Sequence, residues 1–155
     1  VDEKSLPAGN KYSDSCKKRF PDENIIIVCA DIEDQIMGLE TKDRKDFMLE
    51  SGIKSTGLDN LIKTGYKALG LSTFFTSGSE ESRAWTIEKN SRAMDAAGVI
   101  HTDFKKKFIR AETVTCEDFI KYKGFNESKN AGKLRLEGKD YLVNDGDVMY
   151  FRVGS

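Results

Sequence analysis

The sequence predicts an α+β chain: a mostly helical first part over residues 1–70, then a ubiquitin-like β-grasp over 71–153, with 154–155 as a tail. Three observations lead there. The first part holds one short β-type run among stretches with apolar residues at helical spacing. From Leu71 the texture changes to short β-type runs: LSTFFTS, RAWTI, FIRAETVTC, KLRLEG, KDYLV and DVMYFRV. Helical segments near 92–107 and at CEDFIKYKG interrupt them. The order strand, strand, helix, strand, short helix and closing strands is that of a β-grasp, in which a mixed sheet wraps one helix.

Each element has its own signal. IIIVCA, residues 25–30, follows the turn-forming PDEN and reads as a strand buried on both faces, the parallel-sheet type. No other such run occurs in the next sixty residues, so its partner strands are expected from residues before Val1. SDSCKKRF carries a weak helical pattern; Ile32, Ile36 and Leu39 recur at helical spacing, and TKDRKDFMLE makes a second short helix before Gly52. Leu58, Leu61, Ile62, Gly65, Tyr66 and Leu69 form an apolar stripe, with Ser55 or Thr56 placed to cap its start and Gly70 to close it. Glu137-Gly138-Lys139 and Asn144-Asp145-Gly146-Asp147 supply turn chemistry. In DVMYFRV, strand alternation puts Met149, Phe151 and Val153 on the core face and Val148, Tyr150 and Arg152 on the other. Trp85, Phe74, Phe75, Tyr141, Tyr150 and Phe151 have the look of an aromatic nucleic-acid platform, but their strand context reads them mostly as core or half-buried packing, with Arg83, Arg110, Lys133 and Arg135 as outward cations on strands.

The totals bound the function. The chain has 155 residues, 38% of them hydrophobic, with 25 Lys and Arg against 26 Asp and Glu, so any polyanion site must be local. The sequence offers no membrane-spanning run and no secretory signal at VDEKSLPAGN, which predicts a cytoplasmic chain. Cys16, Cys29 and Cys116 are odd in number and far apart, which fits reduced thiols and no metal site.

The most charged stretch is GVIHTDFKKKFIRAE. Residues 98–110 carry Lys105, Lys106, Lys107 and Arg110 against Asp103 alone, a local balance of +3. The plain reading is a solvated face. The alternative is an RNA contact with His101, Phe104 and Phe108 as stacking surfaces. His101 has no acid, metal or nucleophile partner at a meaningful spacing and reads first as a partly buried imidazole near a helix start, with Asp103 as a candidate helix cap. No catalytic constellation is visible.

GLDNLIKTGYKALGLSTFFTSGSEESRAWTI, AAGVIHTDFKKKFIRAE, KYKG and AGKLRLEGKDYLVNDGDVMYFRV together resemble the carboxy-terminal portion of the YchF family. Its members are ribosome-associated P-loop ATPases of the Obg-related class that end in a TGS domain. The resemblance implies that residues 71–153 are that TGS domain, a β-grasp, and that 1–70 are the end of a P-loop α/β nucleotide-binding domain. Val1-Asp2-Glu3 then resembles the close of an Asn-x-x-Glu base-reading motif, and Val28-Cys29-Ala30 lies near the base-contacting loop. Val1, Glu3, Cys29 and Ala30 become the remnant of the nucleotide site, and His101, Lys105, Lys106, Lys107 and Arg110 the RNA or ribosome contacts. The intact family member uses ATP or GTP with Mg²⁺. This sequence has no G-x-x-x-x-G-K-[ST] phosphate loop, so the chain alone is expected to be non-catalytic and without a cofactor.

The expected partners are the ribosome or its RNA and the rest of the nucleotide domain, with self-association through exposed apolar faces and no membrane. The competing reading is a protein-interaction module that docks through the β-grasp sheet edge without nucleic acid. A modifier or sulfur-carrier role needs a terminal Gly-Gly, and the chain ends Val153-Gly154-Ser155.

Overall fold

The computed structural model describes residues 1–154. Ser155, part of the expected tail, lies outside the described residues. The chain divides into two compact units, Val1–Ala68 and the residues from Leu69 onward.

The first unit is helical. A 3₁₀ turn, Glu3–Ser5, is capped by the Asp2 carboxylate, which accepts from the Ser5 backbone N–H at 3.0 Å. Four helices follow: α1 (Lys11–Arg19), α2 (Ala30–Gly38), α3 (Thr41–Glu50) and α4 (Gly57–Ala68). α1 begins in a capping box: the Asn10 side chain accepts from the Tyr12 and Ser13 amides, and Ser13 Oγ accepts from the Asn10 amide. Cys29, Ile32 and Ile36 are buried, with Leu6, Phe47, Met48 and Ile53 packed on them. Thr56 Oγ1 caps α4 by accepting from the Asp59 amide at 3.0 Å. Gly57 lets α4 start hard against α2, since a Cβ there would meet Glu33 Oε1 and the Val28 methyls at 3.0 Å.

The expected strand at 25–30 does not form. A strand exists only as a hydrogen-bonded pair, and among the described residues none pairs with Ile25–Val28. Instead the Val28 carbonyl accepts from the Val1 amino group at 2.8 Å, and Cys29 stands at the N-cap of α2. The apolar stripe of α4 is a helix as predicted, but Leu58, Leu61 and Ile62 are 57%, 56% and 52% exposed.

The second unit is a five-stranded mixed sheet with helices, the β-grasp predicted. Its elements are β1 (Leu71–Ser77), β2 (Ser82–Glu88), α5 (Ala93–Ile100), α6 (Thr102–Lys106), β3 (Phe108–Thr115), α7 (Cys116–Lys121), α8 (Phe125–Asn130), β4 (Arg135–Glu137) and β5 (Asp147–Val153). The strand order is β2-β1-β5-β3-β4, with β5 in the centre, parallel to β1 and antiparallel to β3. α5 presents Ala93, Ala96 and Ala97, all fully buried, so its backbone lies close over Phe74, Met149 and Phe151. Phe74 meets Phe151 edge to face at 5.9 Å.

The opposite face is partly covered too. Phe119 of α7 packs on Phe125 of α8, and Phe125 on Tyr150 of β5. Val148 is therefore buried along with Met149 and Phe151, although alternation assigned it to the outer face. α8 was not expected, because FNESKN has no apolar periodicity; it follows Gly124, which stands at its N-cap with a φ of +126°. KDYLV is no strand: only Leu142 forms a bridge, to Arg92, while Tyr141 O accepts from the Ala93 amide and Ser91 O from the Val143 amide. Turn residues on both sides leave this run too short for a ladder, and it ties the start of α5 down instead.

Asp147, at the head of β5, is 2% exposed yet carries a carboxylate. It accepts from Tyr141 Oη at 2.7 Å, from Arg135 Nη2 at 3.0 Å and from the Asn144 amide at 3.0 Å. Asn144 Nδ2 in turn donates to Tyr141 Oη at 2.8 Å. Arg135, expected to face outward, bends over the Tyr141 ring to reach this charge. Burial, and then the hydrogen bond to the Asp147 carboxylate and its charge, push the Tyr141 phenol up to about 12 from its usual 10.0.

Two predictions follow from this packing. A phenol whose pKa is raised on folding adds stability that is whole below about pH 10 and lost as pH climbs through about 12. Thermal melts should therefore fall more steeply across that window for the native chain than for Tyr141→Phe, which should also cost about 1–3 kcal/mol at neutral pH because Asp147 loses a donor. In hydrogen exchange, the unpaired amides of Ile25–Val28 should exchange far faster than those of Phe74 and Met149; equal protection would contradict the unpaired state.

Candidate functional site

The basic run 98–112 folds as the end of α5, all of α6 and the start of β3. His101 sits between the helices with extended backbone, φ −160° and ψ 141°. Its Nδ1 accepts from the Asp103 amide at 3.2 Å and so caps α6; the sequence placed His101 near a helix start, but the cap is His101 and not Asp103. Nδ1 also lies 3.8 Å from Asp103 Oδ2, and the imidazole is largely exposed, not partly buried as expected, because no other element among the described residues packs over the α5–α6 junction on that side.

The lysines are not equivalent. Lys105 Nζ is 2.8 Å from Asp95 Oδ1, so its charge is paired across to α5. Its stem lies over Gly98, where a Cβ would come within 3.1 Å of Lys105 Cδ. Lys106 and Lys107 are exposed, and no carboxylate lies within ion-pair reach of either among the described residues. The Lys107 carbonyl accepts from the Gly154 amide at 2.8 Å, which extends the β3–β5 ladder. Phe104 and Phe108 are half-buried and pack against the core.

Arg110 departs from the cluster. The β3–β5 register shifts between Phe108 and Arg110, so Phe108 faces α5 while Arg110, opposite Arg152, faces away from it. The structure thus divides the run into the α6 lysines and, on the other side of the sheet, Arg110. There Arg152 Nε donates to Glu112 Oε1 at 2.9 Å, and its guanidinium lies 4.5 Å from the Tyr150 ring centroid. From the sequence Tyr150 reads as packing in preference to a nucleic-acid platform, and Arg152 has no binding signal; strand alternation places them together, but their register against Arg110 is a property of the ladder.

In the first unit, a cleft of about 570 Å³ is lined by residues including Ile25, Ile27, Cys29, Glu33, Lys54 and Asn60. Of Val1, Glu3, Cys29 and Ala30, only Cys29 lines it, and Cys29 is buried. The Val1–Val28 hydrogen bond places Val1 beside the segment that leads into α2, with Glu3 and Ala30 both exposed. The cysteines are free thiols. Among the described residues, no group of three or more His, Cys, Asp or Glu could hold a metal, and no helix is long and apolar enough to cross a membrane.

Residues 71–154 match the YchF-GTPase_C family, described as a protein of unknown function. The chain is 48% identical over 153 residues to a protein of Bacillus subtilis (strain 168) named "Ribosome-binding ATPase YchF", covering 97% of this chain and 42% of that protein. It is 50% identical over 144 residues to the protein of that name from Escherichia coli O157:H7, covering 92% and 40%. Among solved structures it is similar to the Schizosaccharomyces pombe YchF GTPase, with a TM-score of 0.78, 34% identity, and coverage of 97% of this chain and 41% of that one. The chain thus spans about two-fifths of the length of the curated relatives it matches. With more than half of its residues matched by the family and nearly all of them aligned with these relatives, the chain belongs to the YchF family, in its C-terminal portion.

Proposed function

We propose that this chain is the ribosome-docking, non-catalytic portion of a YchF-type ATPase, cytoplasmic like the machinery it serves. The observation that carries this reading is the similarity at 48% identity across both units to a protein named for ribosome binding. In this reading residues 71–153 act as a TGS domain whose exposed cations, Lys106 and Lys107 beside His101 and, on the other side of the sheet, Arg110, contact ribosomal RNA. Lys105 has the separate task of fastening α6 to α5 through Asp95.

ATP or GTP with Mg²⁺ belongs to the complete enzyme. The first unit does not by itself fit a triphosphate: the cleft carries Lys17 and Lys54, but the sequence has no phosphate loop to wrap the β and γ phosphates. Val1, Glu3, Cys29 and Ala30 then serve as the base-side remnant. The unpaired Ile25–Val28 segment and the bare stripe of α4 are the surfaces that the rest of the nucleotide domain would cover. That stripe favours a second reading, a protein-docking module, whose binding would ignore salt.

Sedimentation with purified ribosomes at about 50 mM and 200 mM salt separates the two, because each phosphate contact contributes about 0.7–0.9 to the log–log salt slope. The Lys106→Glu/Lys107→Glu double variant should lower both affinity and slope, whereas salt-independent sedimentation would favour apolar docking. Titration with labelled ATP should show no micromolar binding; saturation in that range would overturn the non-catalytic assignment.

A further inference from the structure

We infer that the sheet face turned away from α5 is a binding site for single-stranded RNA, with Arg110 on a phosphate and the Tyr150–Arg152 pair against a base. The inference rests on the RNA-docking reading above and extends it to residues outside the α6 lysines. Arg110 and Arg152 stand directly opposite each other on β3 and β5, an arrangement that repels. Glu112, on the same face, neutralises only one of them through its 2.9 Å contact with Arg152 Nε. Arg110 is exposed, with no carboxylate within ion-pair reach among the described residues. Stability alone would place an acid there. An exposed, uncompensated cation on the sheet face, paired across the ladder with a second arginine, matches an anion brought by a ligand.

The aromatic half is held in place beforehand. Tyr150 is 43% exposed, and Phe125 packs on its ring edge to face at 6.3 Å. Arg152 lies over that ring at 4.5 Å, and Glu112 fixes its guanidinium. A planar cation stacked on an ordered aromatic is a surface on which a base can lie with little further loss of side-chain freedom. Leu136, paired with Glu112 across the β3–β4 ladder and 61% exposed, gives the platform an apolar border. An acidic peptide would use Arg110 but gain nothing from the flat stack, so the observations favour RNA.

The test is fluorescence anisotropy of a labelled uridine oligomer about ten nucleotides long, titrated with the full chain. Arg110→Glu should weaken binding about tenfold or more and lower the salt slope by about 0.7. The same change places an acid opposite Arg152, so Tm should rise by about 1–3 °C, which shows that the loss is not unfolding. Tyr150→Leu keeps bulk against Phe125 and should weaken binding about tenfold at an unchanged slope. The inference is overturned if native chain and both variants bind the oligomer alike, if the native chain binds none, or if a glutamate decapeptide competes as well as the RNA. Ribosome sedimentation of the same proteins keeps the two readings apart. Loss confined to Lys106→Glu/Lys107→Glu, with oligomer binding unchanged in Arg110→Glu, leaves docking standing and removes the sheet face. Oligomer binding lost in Arg110→Glu, by a native chain that does not sediment with ribosomes, supports the sheet face and removes the docking reading.

Discussion

The second unit is organised around a buried carboxylate. Asp147 is out of water at the head of the central strand, and an isolated charge there would be costly enough to unfold a small domain. It is tolerated because three donors converge on it: a phenol and an amide from the turn region before β5, and a guanidinium from β4. That convergence pins the irregular stretch between β4 and β5, where the ladder offers little. Three residues of β4 make a weak strand on their own, and the Arg135 tie holds them to the sheet.

Once β5 is fixed, it serves two surfaces. Met149 and Phe151 project into the layer beneath α5, while Tyr150 and Arg152 project to the other side, where α7 and α8 cover only part of the sheet. The alanines of α5 allow close packing on the first side. On the second, the sheet carries an aromatic, two arginines and one glutamate in a row set by backbone pairing. Side chains mounted on a central strand are held more firmly than those on a loop, which suits a surface that must present a flat, charged face.

Much of the architecture was legible in the sequence. The run TKDRKDFMLE and the strands LSTFFTS and DVMYFRV stand where local pattern placed them, because period and turn chemistry are local facts. IIIVCA misled because its β-type composition is real while pairing depends on another segment. KDYLV misled for a related reason: Tyr141 and Val143 are anchored, but to the start of α5 and not to a strand. α8 has no apolar period to read. In the basic run, the place of His101 near a helix start could be anticipated, though not that it is the cap. The pairing of Lys105 with Asp95 and the removal of Arg110 to the far side could not, since the first depends on the packing of two helices and the second on a register shift.

That shift has an evolutionary corollary. An irregularity between Phe108 and Arg110 is a place where the chain already accommodates an unequal residue count between neighbouring strands. Gain or loss of one residue at the α6–β3 junction can be taken up there, with the downstream half of β3 left in place. Beyond it there is no such slack: one residue inserted between Ala111 and Glu112 would shift the rest of β3 by one place, turning Thr113 out to solvent and bringing Glu112 inward. Length variation among relatives should accordingly be permitted on the helix side of this point and forbidden on the strand side.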